Sequence, residues 1–139
     1  MTILLKYHEI VGAGTLAALL VQLSKRLRGL QEILADPRKA RFVIVTRAAA
    51  LPAAESESLM ASLRALGIGI GAVIVNAVGA GTCPRCGAAR LAESTQIARL
   101  HRSVLAAGGY DMIEAPAQVP PPHGAAALQD WRTSWRAVT

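Results

Sequence analysis

A repeat of apolar residues at three- and four-residue steps dominates the first quarter of the chain. This spacing places the leucines on one face of an amphipathic helix, with charged residues between them. The helix is expected to end at Ala35-Asp36-Pro37, because proline cannot continue the pattern. A leucine stripe of this kind is usually part of a core. Its members are Leu16, Leu19, Leu20, Leu23, Leu27, Leu30 and Leu34.

Two short β-branched runs follow, at residues 42–46 ("FVIVT") and 70–76 ("IGAVIVN"). Runs that are apolar throughout are typical of central parallel strands buried on both faces. Between them, Pro52 opens a helical pattern that carries Leu59, Leu63 and Leu66 and ends at Gly67. The order strand, helix, strand predicts a right-handed crossover between parallel strands.

The second half of the chain continues the alternation. It predicts a helix over residues 91–107, a strand over 111–115, a stiff loop with four prolines, and a last helix over 124–135. The sequence therefore predicts one α/β domain, a three-layer α/β/α arrangement around a mostly parallel sheet. Within it, residues 1–36 form a leading helical segment and residues 40–139 the α/β part. Ligands of such sheets bind beyond the carboxyl ends of the strands, here near residues 46–49, 76–78 and the proline loop.

Composition and charge narrow the function classes. The chain of 139 residues is 53% hydrophobic and only 4% aromatic, as expected of a folded helix-rich or α/β protein. Its longest uncharged stretches are too short or too interrupted for a membrane span, and no secretory signal pattern opens it. We therefore expect a cytoplasmic protein. The net charge of +6 suggests nucleic-acid binding as one function to consider. The sequence has no interleaved aromatic residues and no binding motif, so a solvated basic helix face is the better interpretation. No nucleic-acid partner is expected.

Both cysteines lie in the stretch "GTCPRCGAAR" at residues 81–90. In the cytoplasm a CxxC pair favours a metal site or transient redox chemistry over a structural disulfide. Half of a tetrahedral zinc site, a redox dithiol and a pair of free thiols all fit Cys83 and Cys86. His8, His101 and His123 do not stand at metal-ligand spacing from the pair, and ordinary surface or loop histidines are the favoured interpretation.

Signals of a self-contained active site are missing from these 139 residues. The phosphate-binding pattern GxxxxGK[ST] does not occur, and "VGAGT" at residues 11–15 lacks both the lysine and a preceding strand, so we interpret it as the opening of a helix. Neither GxSxG nor HExxH occurs, and no Ser, His, Asp set follows from spacing. We expect no catalytic residue in this part of a protein.

Three segments in order nevertheless resemble a known family. They are "FVIVTRAAALPAAESESLMASLRALGIGIGAVIVNAV", "CPRCGAAR" and "MIEAPAQVPPPHGAAAL". Their succession of strand, Asn, CxxC and proline loop resembles the C-terminal portion of the anion-transporting ATPases, which include the arsenical pump-driving ATPase ArsA and the targeting ATPase of tail-anchored membrane proteins. The opening residues 4–52 look like the bacterial branch, so the resemblance covers nearly the whole chain.

The resemblance implies the C-terminal part of a P-loop NTPase fold with a deviant Walker A motif, whose phosphate-binding half is not in this sequence. It implies a fragment that is not competent for ATP hydrolysis alone but contributes the adenine pocket for ATP or ADP. By spacing alone, Asn76 merely ends a strand and the prolines form a turn. By resemblance, Asn76 reads the base and a loop wraps the adenine. The loop residues are Pro116, Ala117, Gln118, Val119, Pro120, Pro121, Pro122 and His123.

The same resemblance supplies a role for the cysteines and a partner. It implies that Cys83 and Cys86 give two ligands to one Zn²⁺ that a second subunit completes, so a homodimer or pairing with an N-terminal ATPase half is expected. Eukaryotic members carry a glutamate where this chain has Ala49, whereas Glu55 matches the family's acidic residue at the start of the next helix, where it would favour the positive helix end. The alternative is a non-catalytic dimerisation or docking module that does not bind nucleotide.

Overall fold

A computed structural model describes the backbone of residues 2–81 and 83–139, with side chains from residue 14 onward. The chain forms two compact units, the first ending at Ala40 and the second spanning Arg41–Thr139. No helix in the described parts of the chain combines the length and apolar character needed to traverse a bilayer. The elements are α1 (Thr2–Ala35), β1 (Phe42–Thr46), α2 (Ala50–Ala65), β2 (Ile70–Val78), α3 (Pro84–Ala107), β3 (Asp111–Pro116), α4 (Gly124–Arg132) and β4 (Arg136–Ala137).

The first unit is the helix α1 and the turn after it. The helix ends at Ala35, as the proline predicted, and the backbone N–H of Arg38 donates to Asp36 Oδ1 at 3.0 Å. This hydrogen bond, together with the nearby Lys39 ammonium, lowers the pKa of the Asp36 carboxyl below its ordinary value. The stretch "VGAGT" lies inside α1 and does not open it, so that expectation was wrong.

The leucine stripe of α1 is not buried, contrary to the expectation of a core. Leu16 is 59% exposed and Leu30 is 52% exposed, and the leucines between them are similar. Helical spacing determines which residues share a face, but it carries no information on what packs against that face.

The second unit contains a sheet whose described strands stand in the order β1-β2-β3-β4. The first three pair in parallel, and β4 pairs antiparallel with β3. The α/β class and the mostly parallel sheet are thus confirmed. The last helix ends at Arg132 rather than at residue 135, and the two-residue strand β4 that follows has no periodicity from which it could be predicted.

The core of this unit lies between the sheet and the helices α2 and α3, which contact each other. From the helices it takes Met60 and Leu63 on α2 and three residues of α3 around Leu100, which is 1% exposed. The strands supply alternate residues, including Val73 and Val75, which are completely buried. Burial therefore follows the helical and strand periods of the sequence.

The sequence predicted β1 as a central strand of the sheet, and this prediction was wrong. Within the described residues it pairs only with β2, so it forms an edge of the sheet. Ile44 and Thr46 are buried toward the core, whereas Val43 is 52% and Val45 is 60% exposed. An apolar residue at nearly every position allows both faces of β1 to be buried. The face with Val43 and Val45 is buried only if another layer packs against it, and the sequence of β1 does not determine that.

Candidate functional site

The carboxyl end of β2 contains the one non-glycine residue with a positive φ among the described residues. Ala77 has φ 55°, at a point where the register between β2 and β3 shifts. The Asn76 side-chain oxygen accepts the Ala77 N–H at 2.8 Å, and the Ala117 N–H donates to the carbonyl of Val78 at 2.8 Å. A left-handed conformation costs an alanine about 1 kcal/mol or more, and such strain clusters at functional sites. This strand end is therefore a candidate ligand site.

Asn76 lines a cavity of about 420 Å³ with the end of β1 and the first turns of α2. The Thr46 and Ser56 hydroxyls both donate to the Pro52 carbonyl, at 3.1 and 2.8 Å. The Thr46 bond joins the end of β1 to the start of α2, whereas the Ser56 bond lies within the helix. The cavity volume is within the range of small-molecule sites, about 300–1,000 Å³.

Glu55 lines the same cavity, although it does not stand where the sequence suggested. Because α2 begins at Ala50, Glu55 lies in the second turn and not at the helix start. Interaction with a helix dipole falls off beyond the first turn, so its expected role at the positive helix end was wrong. Ala49 is the N-cap of α2 and its side chain forms no capping bond.

The polar atoms of Asn76 are only partly used. Its oxygen accepts one hydrogen bond, and its amide nitrogen donates to no described residue. A carboxamide has two donors and an acceptor with two lone pairs, so both donors and one acceptor position remain. Donor and acceptor together match the adenine edge, which offers the N7 acceptor and the N6 donor.

The proline loop lies beside a different cavity. Pro116 ends β3, and with Ala117 and Gln118 it lines a cavity of about 330 Å³. The Trp131 indole N–H donates to the Pro116 carbonyl at 2.9 Å and fixes this end of the loop. Val119 is 93% exposed. Asn76 and the loop residues Pro116, Ala117 and Gln118 line different cavities of those described, although all lie at the carboxyl end of the sheet.

The cysteines lie at the start of α3, which begins at Pro84 rather than at residue 91 as predicted. Cys83 is the N-cap, its sulfur accepts the Cys86 backbone N–H at 3.1 Å, and a disulfide joins the two residues. The signal of the true start was Pro84, since proline is favoured at the first helical position. Cysteine is not among the usual capping residues, so the cap itself was not recognised.

The disulfide bears directly on the metal interpretation. Zinc is held by thiolates, and bonded sulfurs are not available as ligands. Across the described residues no group of three or more His, Cys, Asp or Glu side chains could hold a metal ion. His8 lies outside the residues whose side chains are described. The two cysteine sulfurs can supply half of the ligands of a zinc site, and only after the disulfide between them is reduced.

Sequence reasoning missed one residue that organises this region. Glu93, on α3, accepts the Gly79 N–H at 2.8 Å and so joins the helix to the loop between β2 and the cysteines. Gly79 and Gly81 both have close neighbours. A Cβ would lie 3.1 Å from Glu93 Oε2 at Gly79 and 2.7 Å from Cys86 Sγ at Gly81. The two glycines were the available signal of this close approach.

A known family model matches most of the chain. Residues 3–104 match the family model described as anion-transporting ATPase. The match covers the Asn76 cavity and the cysteine pair and ends before the proline loop. No curated protein sequence matches the chain.

Proposed function

The chain belongs to the anion-transporting ATPase family, and we propose on that premise that it supplies adenine-binding residues to a nucleotide site. The observation that carries the proposal is the Asn76 carboxamide, held at the strained end of β2 with its amide donors unused. A carboxamide fixed by one hydrogen bond loses little entropy when it pairs with a base, which favours recognition.

The loop of residues 116–123 is proposed as the second wall of that pocket. Asn76 pairs with Ala115 across β2 and β3, so the loop begins one residue beyond the strand position beside Asn76. Prolines limit the freedom of the loop before binding, so less entropy is lost on closing over a flat base.

Hydrolysis is not proposed for these residues alone. The 139 residues contain no GxxxxGK[ST], so they lack the glycine-rich cradle and lysine that hold the phosphates in this class of ATPase. We propose that an N-terminal ATPase half supplies them. The pure chain is expected to show no ATP turnover, and turnover that disappears in Asn76→Ala would contradict this.

Nucleotide binding is tested by calorimetric titration of ATP and adenosine into wild type and Asn76→Asp. Aspartate keeps the oxygen that accepts the Ala77 N–H and removes both amide donors. We expect adenosine affinity to fall about tenfold, the equivalent of one to two hydrogen bonds. Unchanged affinity in Asn76→Asp would reject the adenine role, while the unfolding midpoint serves as the control for an intact strand end.

We propose further that Cys83 and Cys86, when reduced, provide two of four ligands to a zinc ion shared by two copies of the chain. Two sulfurs one helical turn apart suit one edge of a tetrahedron, and a twofold axis generates the opposite edge. A reducing compartment such as the cytoplasm would keep both thiols available.

Zinc binding is tested by metal analysis and sedimentation of reduced protein, with oxidised protein as the matched control. We expect about half an equivalent of zinc per reduced chain and a dimer, both lost in Cys83→Ser. The oxidised chain should bind none. A full equivalent per chain, or a dimer that survives without zinc, would contradict the shared site.

A second candidate, a docking module that does not bind nucleotide, is favoured by the exposed apolar edge strand β1. β1 pairs only with β2 among the described strands, so its other edge is unpaired, and such an edge templates pairing with another chain. The exposed side chains of Val43 and Val45 make this strand apolar as well. Adenosine affinity separates the two functions, because a pure docking module would bind none.

A further inference from the structure

Another cavity at the carboxyl end of the sheet is distinct from the one that contains Asn76, although Pro116, where the proposed adenine loop begins, belongs to its lining. It has a volume of about 440 Å³ and lies between the end of β2, the end of β3 and the residues around β4. No residue lines both this cavity and the one that contains Asn76. Crevices beyond the carboxyl ends of parallel strands are the usual ligand sites of such sheets.

Three side chains that line this cavity carry donors without a partner among the described residues. The Trp135 indole nitrogen is buried and has no hydrogen-bond partner. Arg90, from α3, and Arg136, from β4, line the same cavity, and neither forms an ion pair among the described residues. Buried donors are nearly always satisfied in folded proteins, so the unpaired indole N–H of Trp135 is an exception among the residues that line this cavity.

The charge balance of the cavity favours an anion. The lining carries two guanidinium groups, those of Arg90 and Arg136, and one carboxylate, that of Glu114. Glu114 pairs with Arg136 in backbone register across β3 and β4 but forms no ion pair with it. The Glu93 carboxylate next to the lining already accepts the Gly79 N–H. Guanidinium groups present planar sets of donors that match carboxylate and phosphate oxygens. The hydroxyls of Thr133 and Ser134 already donate to backbone carbonyls within the chain.

The walls between these polar groups are apolar. Pro116, Val78 and the Trp135 ring line the cavity, and Trp131 packs edge-on against Trp135 with ring centroids 5.1 Å apart. The volume exceeds what a bare inorganic ion needs and suits a small organic molecule. We propose that this cavity binds a small organic anion, in which a phosphate or carboxylate group meets Arg90 and Arg136 and a flat apolar body lies against Trp135.

The test titrates phenyl phosphate, benzoate and uncharged benzamide into the full chain and follows the two indole N–H resonances by NMR. Trp135→Phe assigns the resonances, and Trp131, whose indole N–H is already bonded, is the internal control. We expect the Trp135 signal to shift with phenyl phosphate or benzoate and not with benzamide. The stronger of the two anions identifies whether phosphate or carboxylate is the preferred group.

Charge variants separate a built site from general attraction. Arg90→Ala and Arg136→Ala are each expected to weaken binding about tenfold, as loss of a charge-assisted hydrogen bond does. Arg102→Ala on α3 and Arg132→Ala on α4 are the matched controls and should leave it unchanged, since neither lines the cavity.

Three results would overturn the proposal. They are the absence of an anion-dependent Trp135 shift at millimolar ligand, equal weakening by the control arginines, and loss of anion binding in Asn76→Asp. The last would place the anion in the other cavity. Because Asn76→Asp alters the proposed adenine contact and leaves Arg90 and Arg136 in place, failure of this site and failure of the adenine site give different results.

Discussion

At the scale of single residues, Ala77 is the strained position of the candidate site, because its backbone is left-handed. Its φ of 55° is unfavourable for any residue with a Cβ, and the bond from its N–H to the Asn76 side chain holds it there. The sequence contains no sign of this, because alanine is not a residue that marks left-handed backbone. The strain is visible only once β2 and β3 are paired and their register is seen to shift.

Replacing Ala77 by glycine is expected to stabilise the chain. Glycine removes a left-handed penalty of about 1–2 kcal/mol and costs about 0.5–1 kcal/mol in unfolded-state entropy, for a net gain of roughly 0.5–1 kcal/mol. Urea unfolding measures the change. Ala72→Gly in the same strand is the control, and it should destabilise by about 0.5–1 kcal/mol because Ala72 is not in a left-handed conformation. Equal destabilisation by both variants would show that Ala77 is not strained.

At the scale of elements, the presence and type of most helices and strands could be predicted from the sequence, whereas their first and last residues were predicted less well. β1 matches its predicted bounds, and α3 keeps its predicted end at Ala107. The start of α3 was missed by seven residues, because Cys83 is an unusual cap and the mostly small residues of the first two turns show no apolar period. β4 was missed because two residues cannot show a period, and its pairing with β3 depends on the tertiary structure.

The packing of α3 on the sheet gives a prediction at this scale. Leu100 is 1% exposed at the centre of the core, so Leu100→Ala is expected to destabilise the chain by about 2–5 kcal/mol through lost burial and a residual cavity. Leu105 lies on the same helix but is 56% exposed, and Leu105→Ala should change stability by about 0.5 kcal/mol or less. Chemical denaturation of the two variants compares them, and similar losses would mean that α3 does not pack as described.

At the scale of the whole molecule, the β1 edge is the feature with the widest consequence. A parallel strand with an apolar outer face is a template for another strand or layer. The exposed leucines of α1 are an apolar surface of the first unit.

Val45→Lys tests the edge directly. The side chain is 60% exposed, so a lysine should cost little stability but should reduce association through the strand edge, since lysine on edge strands opposes pairing. Sedimentation over a concentration series measures the association. Val119→Lys is the control, because Val119 is 93% exposed and lies in the proline loop rather than on β1. If both variants associate like wild type, the β1 edge is not an interface.

The sequence by itself determined the α/β class, the order of most helices and strands, and the family resemblance, because these depend on local periods and on the spacing of a few residues. The tertiary structure decided what packs against each face. It left Val45 and the α1 leucines exposed, set Ala77 in a left-handed conformation, joined the two cysteines and placed Asn76 and the proline loop beside different cavities. Burial, register and the meeting of distant side chains arise from pairing between segments, and no single segment encodes its partner.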